Sequence, residues 1–260
     1  MPRGGAPADD PITLAALGGL AYVAIMVTHE AVGHGIGCVI AGGHPIVTSV
    51  ATQCQVESIA MVAAGPLLNW ITGIGLALHL PGHPRSSPHL AWLLWLVMAF
   101  SLLLAAGYLL FCGVAGFGDW ATVASSWASP GVWRPAAAIA GGVAYYLALL
   151  ALARRRPLLA GDGNGDRLRG LLVWPYLGAG IVACLAGLFN PIDLTRRLLL
   201  PIASSFGACF GATRIPDVDV SRSTRASGDA LAPIDRRPGW LIAAAIAILA
   251  FAGILGPGTR

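Results

Sequence analysis

Lysine is absent from the 260 residues, and glutamate occurs only twice, at Glu30 and Glu57. Charged side chains of all kinds reach 11% and hydrophobic ones 56%, whereas a soluble domain carries about 25% charge. With a mean hydropathy of +0.73, that poverty of charge excludes a soluble globular chain and predicts an all-α polytopic membrane protein. All 16 basic residues are arginine, and the net charge of +4 calls for no nucleic-acid partner, because the arginines fall in loops where orientation signals belong. Cysteine is sparse as well: Cys38, Cys112, Cys184 and Cys209 lie in or beside apolar runs and only Cys54 in a polar loop, so no disulfide framework is expected. The first apolar run lacks a small-residue cleavage pattern, which makes it a retained span and not a signal peptide.

About 20 apolar residues are needed to cross the hydrocarbon core. By that measure spans are predicted at 12–40, 58–80, 90–116, 133–153, 171–189 and 240–255. Residues 194–213 are read as an interfacial or re-entrant segment, with a seventh span as the alternative. The loop 41–57 holds Pro45-Ile46-Val47-Thr48-Ser49-Val50, suited to a small hairpin, and the polar stretch 214–238 reads as a mobile loop. Orientation is contradictory under six spans. The arginine-rich loops at 154–169 and 214–238 both belong in the cytoplasm, yet six spans put them on opposite sides, and a seventh would reconcile them. The triple arginine Arg154-Arg155-Arg156 puts the N-terminus inside.

Within the first span stands His29-Glu30-Ala31-Val32-Gly33-His34. Ionisable groups in hydrocarbon are costly and face a cavity, a partner or a metal. A hydrolytic zinc site needs about three N or O ligands, an open position for water and a base. The usual helical form, H-E-x-x-H, sets two imidazoles one turn apart beside a glutamate base. Here one residue is inserted, and at about 100° per residue five steps leave the rings roughly 140° apart. A π-bulge absorbs one inserted residue, with Gly33 the position most tolerant of it. The same six-residue form resembles the zinc motif of the dipeptidyl peptidase III family. His29 and His34 are therefore read as joint ligands of a metal ion.

Further along come Ala64-Gly65-Pro66-Leu67-Leu68-Asn69 on the second span and Gly118-Asp119-Trp120 at the end of the third. In this order the three elements resemble the site-2 protease group of intramembrane zinc metalloproteases, over about residues 12–125. The resemblance implies a Zn2+ ion on His29, His34 and Asp119, Glu30 as the base that activates water, and a substrate-positioning role for Asn69 with Gly65 and Pro66. Asp193, which follows Asn190-Pro191, competes with Asp119 for the third ligand; the order of spans favours Asp119. The division that follows is a metalloprotease-like core at 1–125 and additional helices at 126–260.

The expected activity is zinc-dependent cleavage of transmembrane segments of other membrane proteins, in the bilayer of the plasma membrane. Two alternatives stand beside it, a non-catalytic protein of the same fold that binds partners and a metal-handling or transport protein. Other residues carry less chemistry. His79, His83 and His89 are read as surface histidines, His44 as part of a turn with Cys54 nearby, and Glu57 as favourable to the dipole of the second span. Trp92, Trp95, Trp120, Trp127, Trp133, Trp174 and Trp240 lie near span ends and are read as interface anchors.

Overall fold

Asp10 begins the first helix. Its carboxylate accepts from the Thr13 amide at 2.9 Å and the Thr13 hydroxyl at 2.7 Å, and Pro11 fills a first-turn position where no amide hydrogen is needed. The computed structural model describes residues 9–56, 58–80, 87–160, 165–219 and 231–259. Among them seven helices are long and apolar enough to cross a membrane. They are α1 (Pro11–Ile40), α2 (Ile59–His79), α3 (Pro88–Ala115), α5 (Pro130–Ala153), α6 (Gly165–Leu188), α7 (Leu194–Asp217) and α8 (Pro238–Leu255). A short helix α4, Asp119–Ser125, joins α3 to α5. Strands β1 (Pro45–Val47) and β2 (Thr52–Cys54) form an antiparallel hairpin between α1 and α2, with Pro45 opposite Cys54 and Val47 opposite Thr52. This is an all-α polytopic membrane protein with one small hairpin.

The centre of the bundle is α3. It packs between α1, α2 and α5, while α1 lies along α6 and α8. Its middle stretch, from Leu96 to Ala106, is buried without a break except at Val97. A helix that is hydrophobic all round belongs in such an interior position. On α1 the half before the histidines is equally dry: Leu14, Leu17, Ala21, Tyr22 and Ile25 are all at most 1% exposed.

Several expectations change. The stretch 194–213 is not interfacial but part of α7, whose path continues through Pro201, a π turn at Ala203–Gly207 and a 3-10 turn at Ala208–Phe210. Buried Ser205, Ala208, Cys209 and Ala212 hold it against its neighbours, which composition alone does not reveal. Cys38 and Cys54 form a disulfide across 16 residues. The α1 end and the hairpin bring together a cysteine from an apolar run and one from a loop, a pairing that the cysteine positions alone do not announce. Trp92, Trp95 and Trp133 are buried core residues, not interface anchors; Trp92 and Trp95 stack at 4.9 Å. His89 is fully buried and sits 2.8 Å from the Asp235 carbonyl, so it is no surface histidine. Of the polar stretch 214–238, residues 220–230 lie outside the described residues, as do His83 and Glu57, while Leu231 and Ile234 are buried in the core.

The packing of α3 is open to test. Trp92→Ala should cost about 3–5 kcal/mol, the range for emptying a buried aromatic site, read as a lowered thermal midpoint in detergent. Trp127→Ala, at a position 77% exposed, should stay within about 0.5 kcal/mol.

Candidate metal centre

From Val27 to Gly35 the backbone of α1 is a π-helix, and the Ile36 amide donates to Ala31. With i→i+5 closure the residue five positions on returns above the first, so His29 and His34 share a face despite the inserted residue. Their rings stand 4.8 Å apart, centroid to centroid, at 79°. The expected distortion is therefore present, and it spans nine residues.

Packing against α2 makes room for it. A Cβ on Gly33 would meet the Gly65 Cα at 2.5 Å, and a Cβ on Gly65 would land on the His34 imidazole. Only glycine at both positions lets α2 approach this closely. That approach brings the Met61 carbonyl within 2.9 Å of His34 Nδ1. A carbonyl can only accept, so Nδ1 carries the proton and the Nε2 lone pair of a neutral ring faces the centre. On the same helix Asn69, 1% exposed, lies with its amide nitrogen 3.0 Å from His29 Nδ1. In that orientation Asn69 Oδ1 is buried without a partner. Turning the amide over, which exchanges two atoms of nearly the same size, gives Oδ1 the Nδ1 proton of His29 and frees its Nε2 lone pair as well.

The third arm is Asp119. Gly116 ends α3 with φ +78°, and Gly118 has φ +103°, a conformation that L side chains rarely adopt. This tight reversal turns the first residue of α4 inward. The Tyr108 hydroxyl on α3 accepts from the Asp119 amide at 3.0 Å and fixes the turn. Asp119 Oδ2 then lies 3.1 Å from His34 Nε2 and 3.3 Å from His29 Nε2, and the two nitrogens are 3.2 Å apart. Atoms at about 2.0–2.1 Å from a tetrahedral ion stand about 3.3 Å from one another. The triangle thus has the size a single ion requires, and the group could hold a metal ion. Burial alone would raise the Asp119 pKa, but when the two rings are protonated at Nε2 their hydrogen bonds and charge outweigh it and hold the carboxyl below the ordinary carboxylate range.

Glu30 is 4% exposed and stands beside the triangle. Its Oε1 is 4.0 Å from His29 Nε2, and its Oε2 lies 2.9 Å from the Thr52 hydroxyl, which is also 3.0 Å from the Glu30 carbonyl. Sequence reasoning missed Thr52, because nothing in its local pattern reports a partner 22 residues back. All four residues His29, Glu30, His34 and Asp119 face a cavity of about 870 Å³, which α7 also lines through Leu199, Pro201 and Ser204. Asn69, Gly65 and Pro66 are not on that wall; Asn69 reaches His29 instead. Asp193 is far from the triangle in role: it caps α7, accepting from the Arg196 amide at 3.0 Å.

No family model, curated protein or solved structure matches the chain.

Metal content reads this geometry directly. The wild type should bind about one ion per chain, and His29→Ala, His34→Ala and Asp119→Ala should each lose it. Asp193→Ala should leave the stoichiometry unchanged. Asn69→Ala should weaken metal affinity by roughly 10–100-fold, the usual effect of losing a group that orients a ligating imidazole.

Proposed function

We propose that the protein is a zinc-dependent intramembrane peptidase, with His29, His34 and Asp119 holding the ion and Glu30 acting as base. One observation carries this reading. A carboxylate that is not part of the ligand triangle sits 4.0 Å from a ligand nitrogen, on the wall of a cavity large enough for a substrate segment. A positioned carboxylate outside the ligand set is what activation of a water by a general base requires. The ligand set of two imidazoles and one carboxylate is one that zinc accepts, with a further position open.

When bound, zinc supplies polarisation of a carbonyl and a lowered pKa for water. The chain supplies the rest. The Thr52 hydroxyl fastens Glu30 Oε2, which leaves Oε1 directed at the triangle. As the water oxygen bonds to the scissile carbonyl carbon, Glu30 takes the water proton, and it returns that proton to the amide nitrogen as the C–N bond breaks. Asn69 and the Met61 carbonyl hold the two imidazoles in the ligating tautomer. The substrate is a transmembrane segment, unwound locally in the cavity between α1, α3, α7 and the hairpin so that its amide is exposed. Apolar walls from Met26, Leu104, Phe111 and Leu199 suit such a segment.

Purified protein in proteoliposomes, given a fluorogenic transmembrane peptide, tests the proposal. Glu30→Gln should keep zinc and lose cleavage by about 10²–10⁴-fold, the usual contribution of a positioned base. Thr52→Val should keep zinc and lower kcat at little change in KM, with Thr52→Ser restoring most of it. Zinc binding without any cleavage by the wild type would favour a non-catalytic partner-binding protein, and zinc flux across the vesicles a transporter.

A further inference from the structure

We infer that the metal centre opens on the non-cytoplasmic side of the membrane, and that its substrate is a segment presented from that side. Two independent features give the direction, and a third ties the site to it.

The first is arginine. With seven spans, the start of α1, the α2 to α3 connection, the α5 to α6 connection and the α7 to α8 connection share one face. Contacts among them confirm the grouping: Arg167 pairs with Asp9 at 2.8 Å, the Asp10 amide donates to Ile234 at 2.7 Å, and Arg169 pairs with Asp217 at 2.9 Å. Among the described residues this face carries the arginines at 154–156, Arg167, Arg169, Arg214, Arg236 and Arg237, against Arg134, Arg196 and Arg197 at the other. Excess arginine in short loops marks the cytoplasmic side.

The second feature is the Cys38–Cys54 disulfide, which lies at the opposite face, between the end of α1 and β2. Disulfides persist in oxidising compartments and are rare where thiols are kept reduced. The hairpin is bound to the end of α6, the turn after it and the C-terminal end of the described chain, since the Ser49 hydroxyl donates to Ala186 at 3.3 Å, Asn190 to Thr48 at 2.9 Å and the Thr259 amide to Val47 at 3.0 Å. Charge and redox chemistry therefore agree, although neither depends on the other.

The site belongs to that same face. Asp119 comes four residues after the last residue of α3, and His34 lies six residues before the end of α1, roughly 9 Å along a helix. Cavity walls at Ser49–Cys54, Phe117–Asp119 and Thr195–Arg196 come from the hairpin, the turn into α4 and the first turn of α7, all at the disulfide side. Towards the arginine face, Leu14, Leu17, Leu96 and Leu103 fill the space as dry core. Water, an ion and a peptide thus have a short polar entry from one side and packed hydrocarbon on the other.

The sidedness stands on its own; only the identity of the substrate rests on the peptidase reading. In a background with Cys112, Cys184 and Cys209 replaced by alanine, Ser126→Cys and Arg154→Cys are made separately and intact cells are treated with a membrane-impermeant maleimide. Ser126→Cys should be labelled at once and Arg154→Cys only after permeabilisation, with Cys38 and Cys54 unreactive until a reductant is added. Labelling of Arg154→Cys alone in intact cells, or free Cys38 and Cys54 thiols, would overturn the assignment whatever the activity. For the substrate, single-span reporters carry the same scissile sequence near either the non-cytoplasmic or the cytoplasmic end. Product only from the first supports the inference and product only from the second overturns it. No product from either, with labelling as expected, removes the peptidase reading and leaves the sidedness in place.

Discussion

Two imidazole nitrogens and a carboxylate oxygen face one another at 3.1–3.3 Å inside a bundle of apolar helices, and the surrounding structure is arranged to hold them there. Left without a positive charge between them, three such atoms repel, and in a low-dielectric interior the repulsion is poorly screened. A cation or a shared proton relieves it. The bundle meets the cost of this cluster with partners for each arm: a main-chain carbonyl for His34, an amide for His29 and a phenol for the Asp119 backbone. Buried polar groups persist only where such partners exist.

The hairpin answers a second requirement, that the Glu30 carboxylate be held beside the triangle yet apart from it. Thr52 engages Glu30 through both its carboxylate and its carbonyl, so the position of β2 is transmitted to the Glu30 side chain. A strand pair of three residues a side is marginal on its own. It is fixed here by the Cys38–Cys54 link, for which a loop of this size contributes about 3 kcal/mol in the chain-entropy account. The tail adds to it through the Thr259 hydroxyl, which accepts from the Val47 amide at 3.0 Å. Cys54 is two residues from Thr52 in sequence, so the bond that fixes the hairpin also fixes the partner of the Glu30 carboxylate.

How much of this was legible in the sequence depended on whether a signal was local. Spans are local, because length and hydropathy are properties of a window, and α1, α2, α3, α5, α6 and α8 fall where the apolar runs put them. The first motif was also local: two histidines around Glu30, with a spacing that makes sense only if the helix is widened, and the π-helix is there. Contacts between distant stretches were not legible. Cys38 looked like any residue of an apolar run, Thr52 like any polar residue of the loop 41–57, and α7 like an interfacial piece because Pro201 and the run of small residues after it break the usual pattern. Asn69 was legible as a polar residue that must have a purpose, but not as a partner for His29, since only the packing of α2 on α1 reveals which group lies opposite.

The inserted residue and the packing of α2 are a single constraint. In a regular helix the short form of the motif would bring two imidazoles together at no cost in backbone geometry, whereas a π turn is rare because its packing and hydrogen bonding are poorer. Here the widened turn places Gly33 against Gly65, so the wall of α1 is flat where α2 crosses it. Close approach at that point puts Met61 and Asn69 of α2 within reach of the two rings, and the same approach leaves no room for a side chain on Gly65. The distortion is therefore maintained by the contacts it makes possible. A chain that regularised the turn by deleting one residue between His29 and His34 would rotate Gly33 away from Gly65 and move α2 outward, so both imidazoles would lose their orienting partners even though the familiar spacing had been restored.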